Sequence, residues 1–209
     1  VTFGVSEMLG LGKAFDSLSK NLFGKTTKIT GQGIYSGEQN LGKVLSEGFD
    51  AQYYSDVLTK RKVAGFTTSK SRSTNIIDQG TEDLDRKLTM IFVNMAEALK
   101  AASGPLGLAM QDVENKINKA TVSIGKVDLS GGNIEEKLQA VFSKAGDLLA
   151  EQVIPGFEEF NRLDEGYLET VMRVASGVDV ATAALDRLGL KAIDFKLIVD
   201  KQGDVDVEL

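Results

Sequence analysis

Apolar residues recur along two long stretches of the chain at the spacing of an amphipathic helix. The first stretch begins after Thr81, a natural N-cap, and has acidic residues in its first turn, where the helix dipole favours them. Its apolar positions are Leu84, Leu88, Ile91, Phe92, Met95 and Leu99. The second stretch begins after Asn133. Its apolar positions are Ile134, Leu138, Val141, Phe142, Ala145, Leu148 and Leu149. Both patterns predict long helices that bury one face.

Three further stretches carry a helical pattern. Residues 165–188 place apolar side chains on or near one face, and Gly189 is positioned to end that helix. Residues 108–119 and 6–23 have weaker patterns. The second long pattern continues past Pro155-Gly156 to Leu163, so we expect a helix that is interrupted or kinked at the proline.

Short runs of alternating polarity predict strands. They cover residues 29–35, 52–58, 63–68 and 121–129. We expect a hairpin connection near Thr59-Lys60-Arg61 and a terminal hairpin around residues 201–204. Residues 41–45 fit either a strand or a short helical turn.

Strands and helices are segregated along the chain, which favours an α+β fold: a mainly antiparallel sheet with several amphipathic helices packed on it. We expect an N-terminal helical appendage over residues 1–24 and a single α+β domain over residues 25–209.

Composition excludes much familiar chemistry. The 209 residues include no His, Cys or Trp, so a thiol nucleophile, a disulfide, a Ser-His-Asp triad and a Cys/His zinc site are impossible. The net charge of −6 argues against wholesale nucleic-acid binding. No apolar run is long enough to span a membrane. Because the chain begins at Val1 rather than Met, we expect a processed chain or a segment of a longer one.

Glycine-rich stretches suggest a nucleotide site, but the spacing is wrong. The run from Gly31 to Gly37 has one residue too many for the dinucleotide fingerprint, and its flanks read as strand on both sides. Around Gly10-Leu11-Gly12-Lys13 the remaining P-loop residues are missing. Turns or close packing explain these glycines, and no cofactor or metal site is expected.

Carboxylates are the main remaining candidates for catalysis. They cluster at residues 78–85, 158–165 and 200–208. A glycosidase needs two carboxyls facing each other across a cleft, one of them with a raised pKa. Helix capping or a solvated face accounts for each cluster, so we expect no catalytic residue.

The most distinctive charge feature is a basic stretch with no acid between Thr59 and Ser73. Its residues are Lys60, Arg61, Lys62, Phe66, Lys70 and Arg72. On a strand pair they would form a basic ribbon that contacts an acidic protein partner or nucleic-acid phosphates. The simpler alternative is an edge hairpin whose lysines prevent aggregation. The helix over residues 165–188 offers a second candidate contact, because Tyr167, Leu168, Val171 and Val174 could face another subunit.

Several segments resemble bacteriophage tail length tape measure proteins. One is the stretch over residues 34–66, with Gln39-Asn40-Leu41-Gly42, Gly48-Phe49-Asp50 and Gln52-Tyr53-Tyr54. The most specific is residues 165–177, which read EGYLETVMRVASG. The helical residues 83–92 and 134–160 fit the same region in order and spacing, so the resemblance covers roughly residues 24–189.

The resemblance implies a structural role. Tape measure proteins are long, largely helical chains that set tail length during assembly, lie within the tail tube and leave ahead of the genome. This shorter, mixed chain would be a globular segment of such a protein, present in the virion tail and in the host cytoplasm during assembly. Its partners would be other tail proteins (tube, tip or chaperone) or further copies of itself. Some family members carry peptidoglycan-cleaving domains, so a carboxylate enzyme using Glu158 or Asp164 is the alternative from another class, and a small binding module using the basic hairpin is a third.

Overall fold

The computed structural model describes residues 27–63, 66–77, 81–187, 196–199 and 205–208. Within them it contains both helices and antiparallel sheet, which confirms the α+β class. The helices are α1 (Leu41–Glu47), α2 (Glu82–Ser103), α3 (Met110–Lys119), α4 (Ile134–Val153) and α5 (Tyr167–Arg187), with a 3-10 turn at Glu158–Phe160. The strands are β1 (Thr27–Ser36), β2 (Gln39–Asn40), β3 (Gln52–Val63), β4 (Phe66–Ile77), β5 (Thr121–Val122), β6 (Gly125–Asp128), β7 (Lys196–Val199) and β8 (Val205–Glu208).

The main sheet has four antiparallel strands in the order β4-β3-β1-β6. Its register places Ile34 opposite Tyr53 on one side and opposite Val127 on the other. All three side chains are buried, so they define the core face of the sheet. Two-stranded sheets pair β2 with β5 and β7 with β8, and the latter is the terminal hairpin predicted from the sequence.

The chain divides into two compact units. Among the described residues, the first comprises residues 27–39, 47–63, 66–77, 81–90 and 123–142, and so contains the main sheet and the first turns of α2 and α4. Its buried apolar side chains include Ile34, Phe49, Tyr53, Val57, Leu84, Leu88, Val127 and Leu138. The helical stripe read from the sequence supplies Leu84 and Leu88, as its spacing predicts.

Among the described residues, the second unit comprises residues 40–46, 91–122, 143–187, 196–199 and 205–208. Its core is mainly helical, and its buried apolar side chains include Leu41, Phe92, Leu99, Ile117, Leu149, Val153, Tyr167 and Val171. Leu148 was expected on the buried stripe of α4 but is exposed. Residues 41–45, whose pattern fits either a strand or a short helical turn, belong to helix α1.

The helix expected over residues 6–23, the boundary at residue 24 and the cap at Gly189 lie outside the described residues. A single domain over residues 25–209 stays a prediction.

Two strand predictions were wrong. Thr59, Lys60 and Arg61 do not form a hairpin connection but lie within β3, which continues to Val63. Cross-strand pairing with β4 keeps these polar residues extended, and polarity alone cannot reveal that pairing. Residues 121–129 form two strands rather than one: β5 pairs with β2, β6 pairs with β1, and Gly125, the first residue of β6, has φ of 60°.

Pro155 interrupts the helical pattern, one of the two expected outcomes, but the pattern does not resume as an α-helix up to Leu163. Helix α4 ends at Val153, and only the 3-10 turn at Glu158–Phe160 follows. Gly156 has φ of 98°, which is far from the helical region. The loop over residues 155–166 therefore separates α4 from α5.

Candidate functional site

The basic stretch lies on the β3–β4 hairpin. The register places Lys60 directly opposite Lys70 and places Arg72 opposite Leu58. Lys70 and Arg72 are exposed. Of Lys60, Arg61, Lys62 and Phe66, the structure describes the strand positions but not the side chains. The backbone thus brings the basic residues to one hairpin, while a partner for them stays a prediction.

A shallow groove of about 360 Å3 lies beside Arg72. It is lined by Thr30, Asp56, Arg72, Ser73 and Thr74. Asp56 accepts a hydrogen bond of 2.6 Å from the Thr74 hydroxyl and two from the Lys126 ammonium, at 2.8 and 2.9 Å. These bonds, the Lys126 bond foremost, lower the pKa of Asp56, so its carboxylate is ionised at neutral pH.

Lys126 also joins this groove to a buried tyrosine. Its Nζ lies 4.3 Å from the centroid of the Tyr54 ring, a cation–π contact. Burial, reinforced by Asp128 and Asp56, raises the pKa of Tyr54 to about 12. Neither Tyr54 nor Asp56 therefore changes protonation near neutral pH. This cluster can hold charged groups in place, but it is poorly suited to proton transfer.

A second groove, of about 540 Å3, is acidic. It is lined by Glu47, Gly48, Phe49, Asp50, Glu82, Asp85, Arg86, Thr89 and Met90. Asp85 Oδ1 accepts the Ala51 N–H at 2.8 Å, and Thr89 Oγ1 accepts the Phe49 N–H at 2.7 Å. Burial raises the pKa of Asp85, and nearby Asp50 and Glu82 add to this effect, although hydrogen bonds from Ala51 and Thr81 oppose it. A carboxyl with a raised pKa in a groove is a candidate acid catalyst. Sequence reasoning had placed Asp85 among the first-turn residues of a helix, which hid this candidate.

The other carboxylates singled out in the sequence have different surroundings. Asp83, which is exposed, forms ion pairs with Arg86 and Lys87, which lower its pKa, the Lys87 bond most. Glu158, Glu159 and Asp164 are exposed, and Asp164 has φ of 62°. Asp78, Asp200 and Asp204 lie outside the described residues. Across the part of the chain that the structure describes, no group of three or more carboxylates is arranged to hold a metal ion.

The segment with the most specific family resemblance comprises the end of the loop that precedes α5 and the first half of α5, and its side chains hold that loop. Arg173 donates from Nε to Glu165 Oε1 and from Nη2 to Oε2, both at 2.8 Å, and from Nη2 to the Phe160 carbonyl at 2.7 Å. The Thr170 hydroxyl donates to Glu165 Oε2 at 2.8 Å. The hydrogen bond from Arg173, followed by those of Thr170 and the Arg162 backbone, lowers the pKa of Glu165 to about 2 although burial opposes it.

Tyr167 and Asp147 fix the two ends of the same loop. The buried Tyr167 hydroxyl donates to the Ile154 carbonyl at 2.8 Å and accepts the Phe157 N–H at 3.0 Å. Asp147, on α4, accepts the Leu168 N–H at 2.9 Å at the start of α5. Between these anchors the loop presents Leu163, whose exposed fraction is 94%.

Residues of the earlier resembling segment also have structural roles. The Gln39 side chain makes two hydrogen bonds to the Asp50 backbone, at 2.7 and 2.9 Å. Asn40 Oδ1 accepts the Lys43 N–H near the start of α1. Gly48 has φ of 102°, a conformation that favours glycine, and it precedes the buried Phe49. These contacts hold loops in place.

The prediction that α5 presents four residues to another subunit was wrong for three of them. Tyr167, Val171 and Val174 are buried within the chain itself. Only Leu168 of the four is partly exposed, so most of this apolar arc is not available to another subunit.

No described helix combines the length and apolarity needed to cross a bilayer. Comparison of the chain with protein-family models, curated proteins and solved structures finds no match.

Proposed function

We propose that this chain is a structural domain of a phage or prophage tail tape measure protein and that it acts through protein–protein contacts rather than catalysis. The observation that carries the proposal is the structural role of residues 165–177, the segment that resembles tape measure proteins most specifically. Its polar residues, Glu165, Thr170 and Arg173, satisfy one another and the loop backbone. Because these polar side chains hold a loop in place rather than face a cleft, the motif suits a protein that acts by assembly.

The exposed features favour the same function. The long β3–β4 hairpin presents Lys70 and Arg72 to solvent, and the loop before α5 presents Leu163 from a hydrogen-bonded frame. An anchored apolar side chain and a basic strand are the kinds of feature that a protein partner recognises. The partners we propose are other tail proteins (tube, tip or chaperone), with the virion tail as the place of action.

Deleting residues 25–187 in frame from the gene of the encoding phage or prophage should abolish normal tails. We expect particles with absent or altered tails in electron micrographs and loss of plaque formation. A version of the gene with exposed Lys116 and Lys119 both changed to glutamine serves as the matched control and should assemble normally. Tails of unchanged length and infectivity after the deletion would contradict the proposed function.

The raised pKa of Asp85 favours one rival, a peptidoglycan-degrading domain that uses carboxylates. We expect the purified chain to leave the turbidity of a cell-wall suspension unchanged between pH 4 and 8. Clearing that disappears in Asp85→Asn, or in the Glu158→Gln/Asp164→Asn pair, would overturn the structural proposal. Both sets of substitutions keep the shape of the side chain, so a loss of clearing would report on the carboxyl itself.

A further inference from the structure

Strand β4 is unusually long for its position in the sheet. It covers Phe66–Ile77 and, among the residues that the structure describes, it is the last strand on its side of the main sheet. The strand at the opposite side, β6, has only 4 residues. An edge strand directs alternate backbone N–H and C=O groups away from its sheet, and proteins usually shorten or cover such edges.

The side chains along β4 are compatible with an added strand. Residues 70–74 are exposed, and the whole strand contains neither proline nor an acidic residue. Lys70 and Arg72 are two positions apart and therefore project on the same face, while Ser71 and Ser73 project on the other. A strand laid along β4 would meet two cations at alternate positions and small hydroxyl residues between them.

We infer that β4 is the docking site for an extended acidic segment of a partner protein, which adds to the sheet as a fifth strand with Asp or Glu opposite Lys70 and Arg72. Main-chain hydrogen bonds would hold the segment, and the alternate charges would select it. The inference rests on the proposed function, because it names the class of partner for the same hairpin.

A second copy of the chain fits this edge less well. Antiparallel pairing of two β4 strands in the registers centred on residues 70–72 places Lys70 and Arg72 opposite themselves or each other. Like charges directly opposite are destabilising. An acidic segment relieves this repulsion.

Nucleic acid also fits less well. The ionised Asp56 lines the same groove as Arg72, and the adjoining Asp128 carboxylate lies on the same face of the sheet. Phosphates laid across that face would meet the carboxylates of Asp128 and Asp56, of which Asp56 is paired with Lys126. A peptide strand at the edge receives the cations and the backbone groups of β4 without crossing those carboxylates.

The probe is a capped nonapeptide in which glutamate alternates with threonine and valine. Titrated into the 15N-labelled full chain at low salt, it should shift the amide signals of residues 70–76. Two further peptides carry N-methyl groups at odd or at even residues, with charge unchanged. Only one parity of an added strand donates its N–H groups to the edge. We therefore expect one of these peptides to lose at least tenfold in affinity and the other to bind like the parent.

Protein variants test the charge requirement. Lys70→Glu/Arg72→Glu should weaken binding of the parent peptide at least tenfold, whereas Lys116→Glu/Lys119→Glu, exposed lysines on α3, should change it less than twofold. Equal binding of the two methylated peptides would overturn strand addition. Tighter binding of a DNA oligonucleotide, or self-association of the wild type that the β4 variant abolishes, would replace the acidic segment with another occupant and also overturn the inference.

Failure of this inference is separable from failure of the proposed function. If no peptide binds but the in-frame deletion still abolishes tails, the docking mode is wrong and the tail function stands. If the acidic peptide binds as described but the deletion leaves tails normal, the edge binds acidic segments and the tail function is wrong.

Discussion

Gly33→Ala should lower the free energy of unfolding by at least about 3 kcal/mol, the largest effect expected for the removal of any single glycine in the main sheet. A Cβ at residue 33 would lie 1.8 Å from the Val127 carbonyl oxygen on β6 and 2.9 Å from Tyr54 Cε1. The first contact is with backbone of a paired strand, so it cannot be relieved by rotating a side chain. We expect β6 to separate from β1 in the variant. Urea unfolding followed by circular dichroism gives the energy.

Gly31→Ala is the matched control, since the two glycines lie two residues apart on β1 and neither has a positive φ. At Gly31 the nearest atoms to a new Cβ are the Asp56 and Asp128 carboxylate oxygens, both at 3.4 Å, which is ordinary contact. We expect a change below about 1 kcal/mol. Equal stability of the two variants would show that the close approach of β6 is not the reason why residue 33 must be glycine.

The sequence predicted elements well wherever burial is periodic within one segment. In α2, Leu84 and Leu88 are buried at the spacing from which the helix was predicted. At the predicted start of α4, the Asn133 side chain accepts hydrogen bonds from the backbone N–H groups of Glu135 and Glu136. Such signals need no knowledge of the rest of the chain, because a helix face and its cap are local.

Features that depend on a distant strand could not be predicted in the same way. The sequence indicated turns or close packing for Gly31 and Gly33, but only the approach of β6, from nearly a hundred residues later, distinguishes them. The extension of β3 through Lys60 depends likewise on its pairing with β4. Charge and polarity suggested a turn there because they report solvent exposure rather than strand pairing.

The features of the candidate site likewise divide into those visible in the local sequence and those that depend on distant residues. The basic stretch was visible because charge is a property of the residues themselves. The bridge from Lys126 to Asp56 spans 70 residues of sequence, and the raised pKa of Asp85 depends on burial of its carboxyl in the folded chain. Neither leaves a spacing signal. The pairing of Glu165 with Arg173 is equally hidden, since eight residues is not a spacing at which helix side chains meet.

Arg173→Ala should lower the free energy of unfolding by about 3–5 kcal/mol at pH 7. The exposed fractions of the Arg173 and Glu165 side chains are only 21% and 14%, so removing the guanidinium leaves a largely buried carboxylate without its partner. The Phe160 carbonyl also loses a donor. Arg173→Lys should recover only part of the loss, because an ammonium cannot make the two-pronged contact with Glu165. Hydrogen exchange should localise the loosening to residues 155–175.

Two comparisons separate this ion pair from general damage. Arg86→Ala removes an exposed pair with Asp83, whose exposed fractions are 72% and 56%, and should leave stability unchanged within error. In the double variant Glu165→Ala/Arg173→Ala, part of the loss should be recovered, because no unpaired charge remains. A double variant as unstable as the sum of its single variants would show that the two side chains are not coupled.

The pH dependence follows from the lowered pKa of Glu165. A carboxyl whose pKa falls from 4.5 to about 2 on folding stabilises the folded state above pH 4.5, and it loses that stabilisation as the pH falls toward 2. The lowering corresponds to about 3 kcal/mol. The stability difference between wild type and Arg173→Ala should therefore be largest near pH 7 and should shrink as the pH falls toward 2, where Glu165 becomes protonated in both proteins. If the difference instead persists undiminished at pH 2.5, Arg173 stabilises the loop through the Phe160 carbonyl and packing rather than through the charge of Glu165.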